Sequence, residues 1–317
     1  MTRRDVLKAI ALLGATVAYS SFHNMDLMAQ TLGEKSTQPE SDGAPADLVA
    51  VLGGEPAAML ARAMPELGGI GQYVTKGQKV VIKPNIGWDK KPEHGANTNP
   101  DLVVEIIRQV FGAGAADIFV FDHTCDEWTR CYKNSGIAEA ARAAGATVIP
   151  AHQESYYRSV SLPAGKILKQ AKIHQAILDA DVWINVPVLK HHGGANLSIA
   201  MKNYMGIVWD RYEFHRNGLS ECIADICTFE KRPTLNIIDA YRVIKTNGPQ
   251  GRSESDIVTA KALFVSRDIV AGDTVATKFF NQIRTMPLNH VPYLAQGEAL
   301  RVGSMNIDNL NIRRIRM

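Results

Sequence analysis

Along most of the chain, short apolar runs alternate with stretches in which apolar residues recur at helical spacing. Residues 48–52 are a continuous apolar run, and in 56–67 Ala57, Leu60, Ala61 and Met64 fall on one face, so a buried strand followed by a helix is predicted. Residues 79–82 predict the next strand. Asn99 or Thr98 can cap a helix that begins at Pro100 and turns Leu102, Val103, Ile106, Ile107 and Val110 to one side. The alternation continues with strands over 116–121 and 146–149, helices over 136–144 and 172–178, and a strand over 182–189. Strands over 235–238 and 262–265, a helix to about residue 280 and a basic strand-like piece within 306–317 complete the pattern. Strands and helices in strict alternation predict an α/β fold, a doubly wound, mainly parallel sheet with helices on both faces, in a single domain over 47–317.

The polar residues that interrupt this pattern are grouped. The 182–189 strand is followed by Lys190, His191 and His192, then by Gly193 and Gly194. Asn196 is placed to cap a helix holding Leu197, Met201, Tyr204, Met205 and Val208, with Lys202 and Asn203 in it. Three other strands end the same way, at Lys83 and Asn85 beyond Pro84, at Asp122 and His123, and at Asp239. In a parallel sheet these ends open on one edge, where α/β proteins bind ligands. Each residue alone is equally a helix cap, a turn glycine or a solvated loop. Together they nominate Lys83, Asn85, Lys190, Lys202 and Asn203 as the reactive groups, with Asp122, His123, Gly193, Gly194, Asp239, Gly248 and Gly251 holding a ligand or cofactor.

Charge and composition narrow the partner. With 46% hydrophobic and 21% charged residues the chain is ordinarily globular, and a net charge of +3 with no basic tract gives no signature of nucleic-acid binding. A small anion attracted by local lysines is the expected ligand, and nothing in the pattern fixes whether the chain forms a homo-oligomer. His191, His192 and His215 are a candidate nitrogen set for a divalent metal, with Asp122 or Asp239 as oxygen ligand; the alternative for His215 is a surface aromatic-basic turn. Cys125, Cys131, Cys222 and Cys227 allow a Cys125–Cys131 disulfide, free thiols, or a four-thiolate zinc or iron–sulfur site.

Residues 1–30 join Arg3, Arg4 and Lys8 to an uncharged apolar stretch, and this segment resembles a twin-arginine export signal. Recognition by the twin-arginine export machinery and a periplasmic or otherwise exported location are expected, with membrane anchoring if the signal stays uncleaved. Residues 31–46, polar and rich in Pro, Ser and Gly, read as a disordered tether.

Several stretches occur in an order that resembles an uncharacterised α/β family, domain-of-unknown-function family 362. They are Val81-Ile82-Lys83-Pro84-Asn85, Asn99-Pro100, Ser135-Gly136-Ile137, Ile184-Asn185-Val186-Pro187, Leu189-Lys190-His191-His192, Ala200-Met201-Lys202-Asn203-Tyr204-Met205-Gly206, and Gly248, Pro249 and Gly251. Some members of that family carry ferredoxin-type iron–sulfur modules, an insert this chain lacks. A looser likeness is to nickel-dependent lactate racemases. The expectation is an exported metal- or iron–sulfur-dependent redox protein or enzyme acting on a small anion in a crevice lined by Lys, His and Asp. The alternatives are a non-catalytic anion- or metal-binding protein and a racemase-like enzyme.

Overall fold

The computed structural model describes residues 44–317. The segment read as an export signal, and all but the last residues of the one read as a tether, lie outside them. Ala46, at the tether's end, is already buried, and its N–H donates to Glu66 O at 2.8 Å. Among the described residues no helix is long and apolar enough to cross a membrane.

The chain opens with β1 (Leu48–Leu52), α1 (Pro56–Ala63) and β2 (Lys79–Pro84). Next come α2 (Pro100–Gly112), whose N-cap Asn99 accepts from Asp101 N, and β3 (Asp117–Val120). Helices α3 (Trp128–Asn134) and α4 (Ile137–Ala143) lead to β4 (Thr147–Val148). A separate hairpin, β5 (Tyr157–Ser161) and β6 (Gln170–His174), runs into α5 (Gln175–Asp179). Then follow β7 (Val182–Val186), β8 (Val188–His192), β9 (Asn196–Ser198) and the short α6 (Ala200–Asn203). Helices α7 (Tyr212–Asn217) and α8 (Leu219–Ile226) precede β10 (Leu235–Ile244) and β11 (Ile257–Ser266). The chain closes with α9 (Ile269–Ile283), α10 (Pro292–Ala299) and β12 (Ile312–Arg316).

Ten strands make one mixed, mostly parallel sheet in the order β12-β1-β11-β10-β7-β2-β3-β4, with β8 and β9 branching from β10. Strands β10, β7, β2, β3 and β4 run parallel to one another along this path, whereas β11 runs against both β1 and β10. Both faces are covered, as a largely parallel sheet requires. On β1, Leu48, Ala50 and Leu52 enter one core with α8, α9 and α10, while Val49 and Val51 enter the other with α1, α2 and α4.

The architecture is the α/β fold expected from the alternating pattern, with several boundaries moved. Lys190, His191 and His192 are not in a loop: β8 continues past Pro187 along β10 and turns back into β9 in register His192↔Asn196. Asn196 caps no helix; it sits at φ 61 as the first residue of β9, just after the hairpin turn, and the helix begins only at Ala200. Lys83 lies within β2, because Pro84 is the last strand position and still registers with Val186. Asp239 is inside β10, which runs on to Ile244. Residues 172–178, expected to be one helix, divide between β6 and α5 because Lys172 and Ile173 register with Ser159 and Arg158 in the separate hairpin.

Candidate functional site

The site forms where two parallel strands part. Strands β2 and β7 register together as far as Pro84↔Val186; β2 then ends, while the other chain passes Pro187 and follows β10 as β8. Parting leaves ladder groups without partners, and buried backbone polar groups must be satisfied. Thr98 does this: its Oγ1 accepts from Asn85 N at 2.8 Å and donates to Val186 O at 2.7 Å. Asp239 N donates to Pro187 O at 2.9 Å on the other side of the opening.

Side chains fill the gap with a continuous amide and ammonium network. Asn185 Nδ2 donates to Asn236 Oδ1 and to Ala200 O, both at 3.0 Å, and Asn203 Nδ2 donates to Asn185 Oδ1 at 2.8 Å. Asn203 Oδ1 accepts from Lys83 Nζ at 2.7 Å and from Asn85 Nδ2 at 3.1 Å. Asn85 Oδ1 then accepts from Lys190 Nζ at 2.8 Å, and the same ammonium donates to Ala96 O. Each amide faces the way the network demands, so the chain of bonds fixes the lysines rather than merely surrounding them. Helix α6, which carries Lys202 and Asn203, is held at its start by Asp273, which accepts from Ala200 N at 2.8 Å and Met201 N at 2.9 Å. Burial pushes Asp273 up to about 8.

Four cationic side chains gather here, and only one has a counter-ion. Lys83 Nζ is 2.8 Å from Asp122 Oδ1, while Asp122 Oδ2 accepts from Ile86 N at 2.6 Å. Lys190, 1% exposed, has only the neutral acceptors Asn85 and Ala96. Lys202, half-buried, makes no hydrogen bond or ion pair among the described residues. Arg211 Nη1 donates to His123 O at 2.9 Å and to Cys125 Sγ at 3.2 Å, and its Nη2 to Thr124 O at 2.5 Å. Burial lowers all three lysines, Lys190 to about 7 and Lys202 to about 8, and it lowers Lys83 against the upward pull of Asp122. Taking an ammonium out of water disfavours its charged form, and burial is the first cause of all three shifts, outweighing even the Asp122 carboxylate beside Lys83.

The remaining nominated residues sit around this centre. Burial, and next the Lys202 and Lys190 charges, hold His192 far below the ordinary imidazole value; its Nδ1 accepts from Gly194 N at 3.0 Å and Ala195 N at 3.1 Å. His191 Nδ1 accepts from Gly248 N at 3.0 Å, and Gly193 N donates to Gly248 O at 3.3 Å, so the hairpin is tied to the loop containing Gly251. A side chain at Gly248 would collide with the His191 carbonyl, which explains that glycine as a close backbone approach. His123 bonds Val208 O through Nδ1 at 2.8 Å and stacks on Trp209 at 5.1 Å, and burial lowers it to about 4. Asp239 spends both oxygens on backbone, on Asn99 N at 2.7 Å and Tyr241 N at 2.9 Å, and burial raises it to about 6. His215 is exposed on α7, and after burial the Lys202 charge is the next cause of its lowered value.

Metal donors are not gathered in the same way. Among the described residues no three His, Cys, Asp or Glu side chains are placed to hold one ion. The cysteines are all free, Cys125 exposed and the others buried, with Cys131 Sγ 3.7 Å from Gly87 O and Cys227 Sγ 3.7 Å from Met201 O. Burial pushes Cys131 up to about 12, Cys222 to about 11 and Cys227 well above the usual thiol range. Among the described residues neither the four cysteines nor His191, His192 and His215 are gathered around one point. Sequence reasoning missed Arg211, which precedes a short helix and follows no strand, and Thr98 as the plug between strands.

A family model described as "Domain of unknown function (DUF362)" matches residues 80–278, more than half of the chain. A thylakoid-associated protein of Synechocystis is 24% identical over 228 residues, covering 69% of this chain and 68% of that protein. Two solved structures are similar at low identity. A Thermotoga maritima protein has 13% identity and a TM-score of 0.47, covering 73% of this chain and 60% of that one. The lactate racemase apoprotein of Thermoanaerobacterium thermosaccharolyticum has 15% identity and a TM-score of 0.47, covering 75% of this chain and 57% of that one. The chain thus spans about three-fifths of the length of each of these two structures.

Proposed function

The chain belongs to the DUF362 family, and we propose that it is an enzyme that binds a small organic anion between Lys83, Lys190, Lys202 and Arg211 and moves protons on it with its lysines. The observation that carries this reading is the counting of charges at the parted strands: Asp122 is matched to Lys83, and Lys190 and Lys202 have no carboxylate. A buried or half-buried ammonium with no counter-ion is costly, and a ligand anion offsets that cost. The lowered lysines suit acid–base work near neutrality, where a group acts best with its pKa close to the working pH. Lys190, at about 7 in the free site, and Lys202, at about 8, take up or release a proton at little cost near neutral pH, so that either ammonium beside a bound anion can donate a proton and, once it has done so, act as base. Asn203 and Asn85 hold the lysines in place, and Asp273 holds the helix that carries Lys202.

The same reading includes export of the chain through the Arg3-Arg4 signal, so that the anion would be met outside the cytoplasm. The test uses pyruvate, malonate and inorganic phosphate in calorimetric titrations of the native chain and of Lys202→Met. Binding of a carboxylate that weakens at least about tenfold in the variant supports the anion site, because one favourable charge contact is worth on the order of 1–3 kcal/mol. Exchange of the pyruvate methyl protons in heavy water, faster than in protein-free buffer and lost in Lys190→Met, supports the proton-transfer role. Binding without exchange would leave a non-catalytic anion-binding protein.

A further inference from the structure

The bonds of the three lysines set one of them apart. Lys83 is sealed in: its Nζ is 2.8 Å from Asp122 Oδ1, donates to Asn203 Oδ1 at 2.7 Å, and lies so close to Gly206 that a Cβ there would stand 2.5 Å away. Lys190 is buried and spends two N–H groups, on Asn85 Oδ1 at 2.8 Å and on Ala96 O. Lys202 is half-buried, and its ammonium makes no hydrogen bond or ion pair among the described residues. Its backbone is nonetheless held, because Asp273 accepts from Ala200 N and Met201 N at the start of α6, and the next residue, Asn203, is bonded to Lys83, Asn85 and Asn185. An amine on a fixed base, with no partner and with access to solvent, is free to meet a substrate, whereas the other two are not. After burial, the Lys202 charge is the next cause lowering both His192 and His215, so β8 and α7 flank it. Arg211 is braced against His123 O, Thr124 O and Cys125 Sγ and pairs with no carboxylate among the described residues, which leaves a cation near the amine for an acid group. Desolvation and neighbouring cations are two ways in which a protein makes a lysine nucleophilic; burial takes Lys202 down to about 8, and Arg211 and Lys83 act in the same direction.

We infer that Lys202 is the nucleophile of this site and forms an imine with the carbonyl carbon of a small 2-oxo acid whose carboxylate is received by Arg211. This rests on the anion-binding reading above and names its substrate class. In the step, the Lys202 ammonium passes a proton to the neutral amine of Lys190, and its nitrogen lone pair then forms the nitrogen–carbon bond while the carbonyl π pair moves to oxygen. That oxygen takes the proton back from Lys190. The new nitrogen–carbon adduct releases a second proton from nitrogen to Lys190, which passes it to the hydroxyl as the carbon–oxygen bond breaks and water leaves; the nitrogen lone pair closes the double bond. The Lys202 ammonium and the ketone thus become a protonated imine and one water, Lys190 ends as it began, and no oxidant or reductant enters. The protonated imine withdraws electrons from the adjoining carbon, which is the chemical reason for a methyl proton of pyruvate to exchange here.

Reductive trapping tests it on the full chain. Pyruvate and cyanoborohydride are added at pH 8, and the adduct at each lysine is counted by mass spectrometry. The inference predicts an adduct at Lys202 that exceeds those at exposed lysines on the order of a hundredfold, the gain in neutral amine that a fall from the ordinary lysine value to about 8 gives. Malonate, which has two carboxylates and no ketone, should suppress that adduct by occupying the cations. Lys202→Arg keeps a cation and cannot form the imine, so it should still bind malonate, give no adduct at position 202 and lose the exchange of the pyruvate methyl protons. An adduct at Lys202 no more abundant than at exposed lysines, or exchange at the native rate in Lys202→Arg, overturns the inference. Malonate titration of the native chain separates the two claims. Malonate binding together with failed trapping removes only the covalent role, whereas absence of anion binding removes the site on which it rests.

Discussion

Lys83 Nζ and Asp122 Oδ1 lie 2.8 Å apart with both side chains shielded from solvent, and Gly206 is the residue that lets them meet. A Cβ on Gly206 would collide with the Asp122 carboxylate and would stand 2.5 Å from Lys83 Nζ. Removing one partner of a buried pair strands the other charge. Lys83→Met is therefore expected to cost about 3–5 kcal/mol of unfolding free energy. Gly206→Ala should destabilise through the same pair, read as a lower urea midpoint at unchanged slope.

Lys202→Met separates function from stability. The side chain is half-buried and makes no hydrogen bond or ion pair among the described residues, and the variant removes an ammonium that burial disfavours, so it should be at least as stable as the native chain in urea unfolding. Its affinity for carboxylates should nevertheless fall. A matching loss of stability would make Lys202 a scaffold residue instead.

Lys190 links stability to pH. Its folded value of about 7 is far below the ordinary lysine value, so above about pH 7 the unfolded chain holds a proton that the folded chain has released. Raising the pH then favours the folded state, by about 1.4 kcal/mol per unit until the unfolded value is reached. Asp273 acts in the opposite sense: its stabilising contribution is present at low pH and is lost as pH rises through about 8. The Lys190 contribution is isolated by subtraction. Native stability minus that of Lys190→Met should increase between pH 7 and pH 9, and a flat difference would contradict the neutral buried amine.

How far the chain announces this site depends on which signal a residue leaves. Lys83, Asp122 and Asp239 were legible because an apolar run stops at each of them, and their strands are parallel neighbours or next neighbours. The extension of β8 through Lys190, His191 and His192 was not, since polar residues in a strand interrupt the apolar signal. What holds them there is pairing with β10 and β9, the first of which lies some fifty residues on. Asp239 and His123 stood at the expected edge, yet backbone amides and Val208 O, respectively, decide which way they bond. Arg211 has no positional signal; it reaches the site because Trp209 stacks on His123 and brings the following turn against residues 123–125.

The proposed export rests on Arg3 and Arg4. Replacing both with lysine keeps the charge and removes the pair that the export pathway reads. Fractionation should then find the chain retained in the cytoplasm, and export at the native level would sink the proposal.

Proton uptake on anion binding tests the central claim most directly. At pH 8 the free site holds Lys190 mostly neutral and Lys202 about half charged, given values of about 7 and about 8. An anion placed beside them favours the ammonium forms and raises both values, so binding must draw protons from the buffer. Malonate titrated into the native chain at pH 8, in two buffers of different ionisation enthalpy, should give heats that differ by the uptake of about one proton per anion. The uptake should shrink in Lys190→Met. Malonate binding with the same heat in both buffers, or no binding at all, would contradict the account.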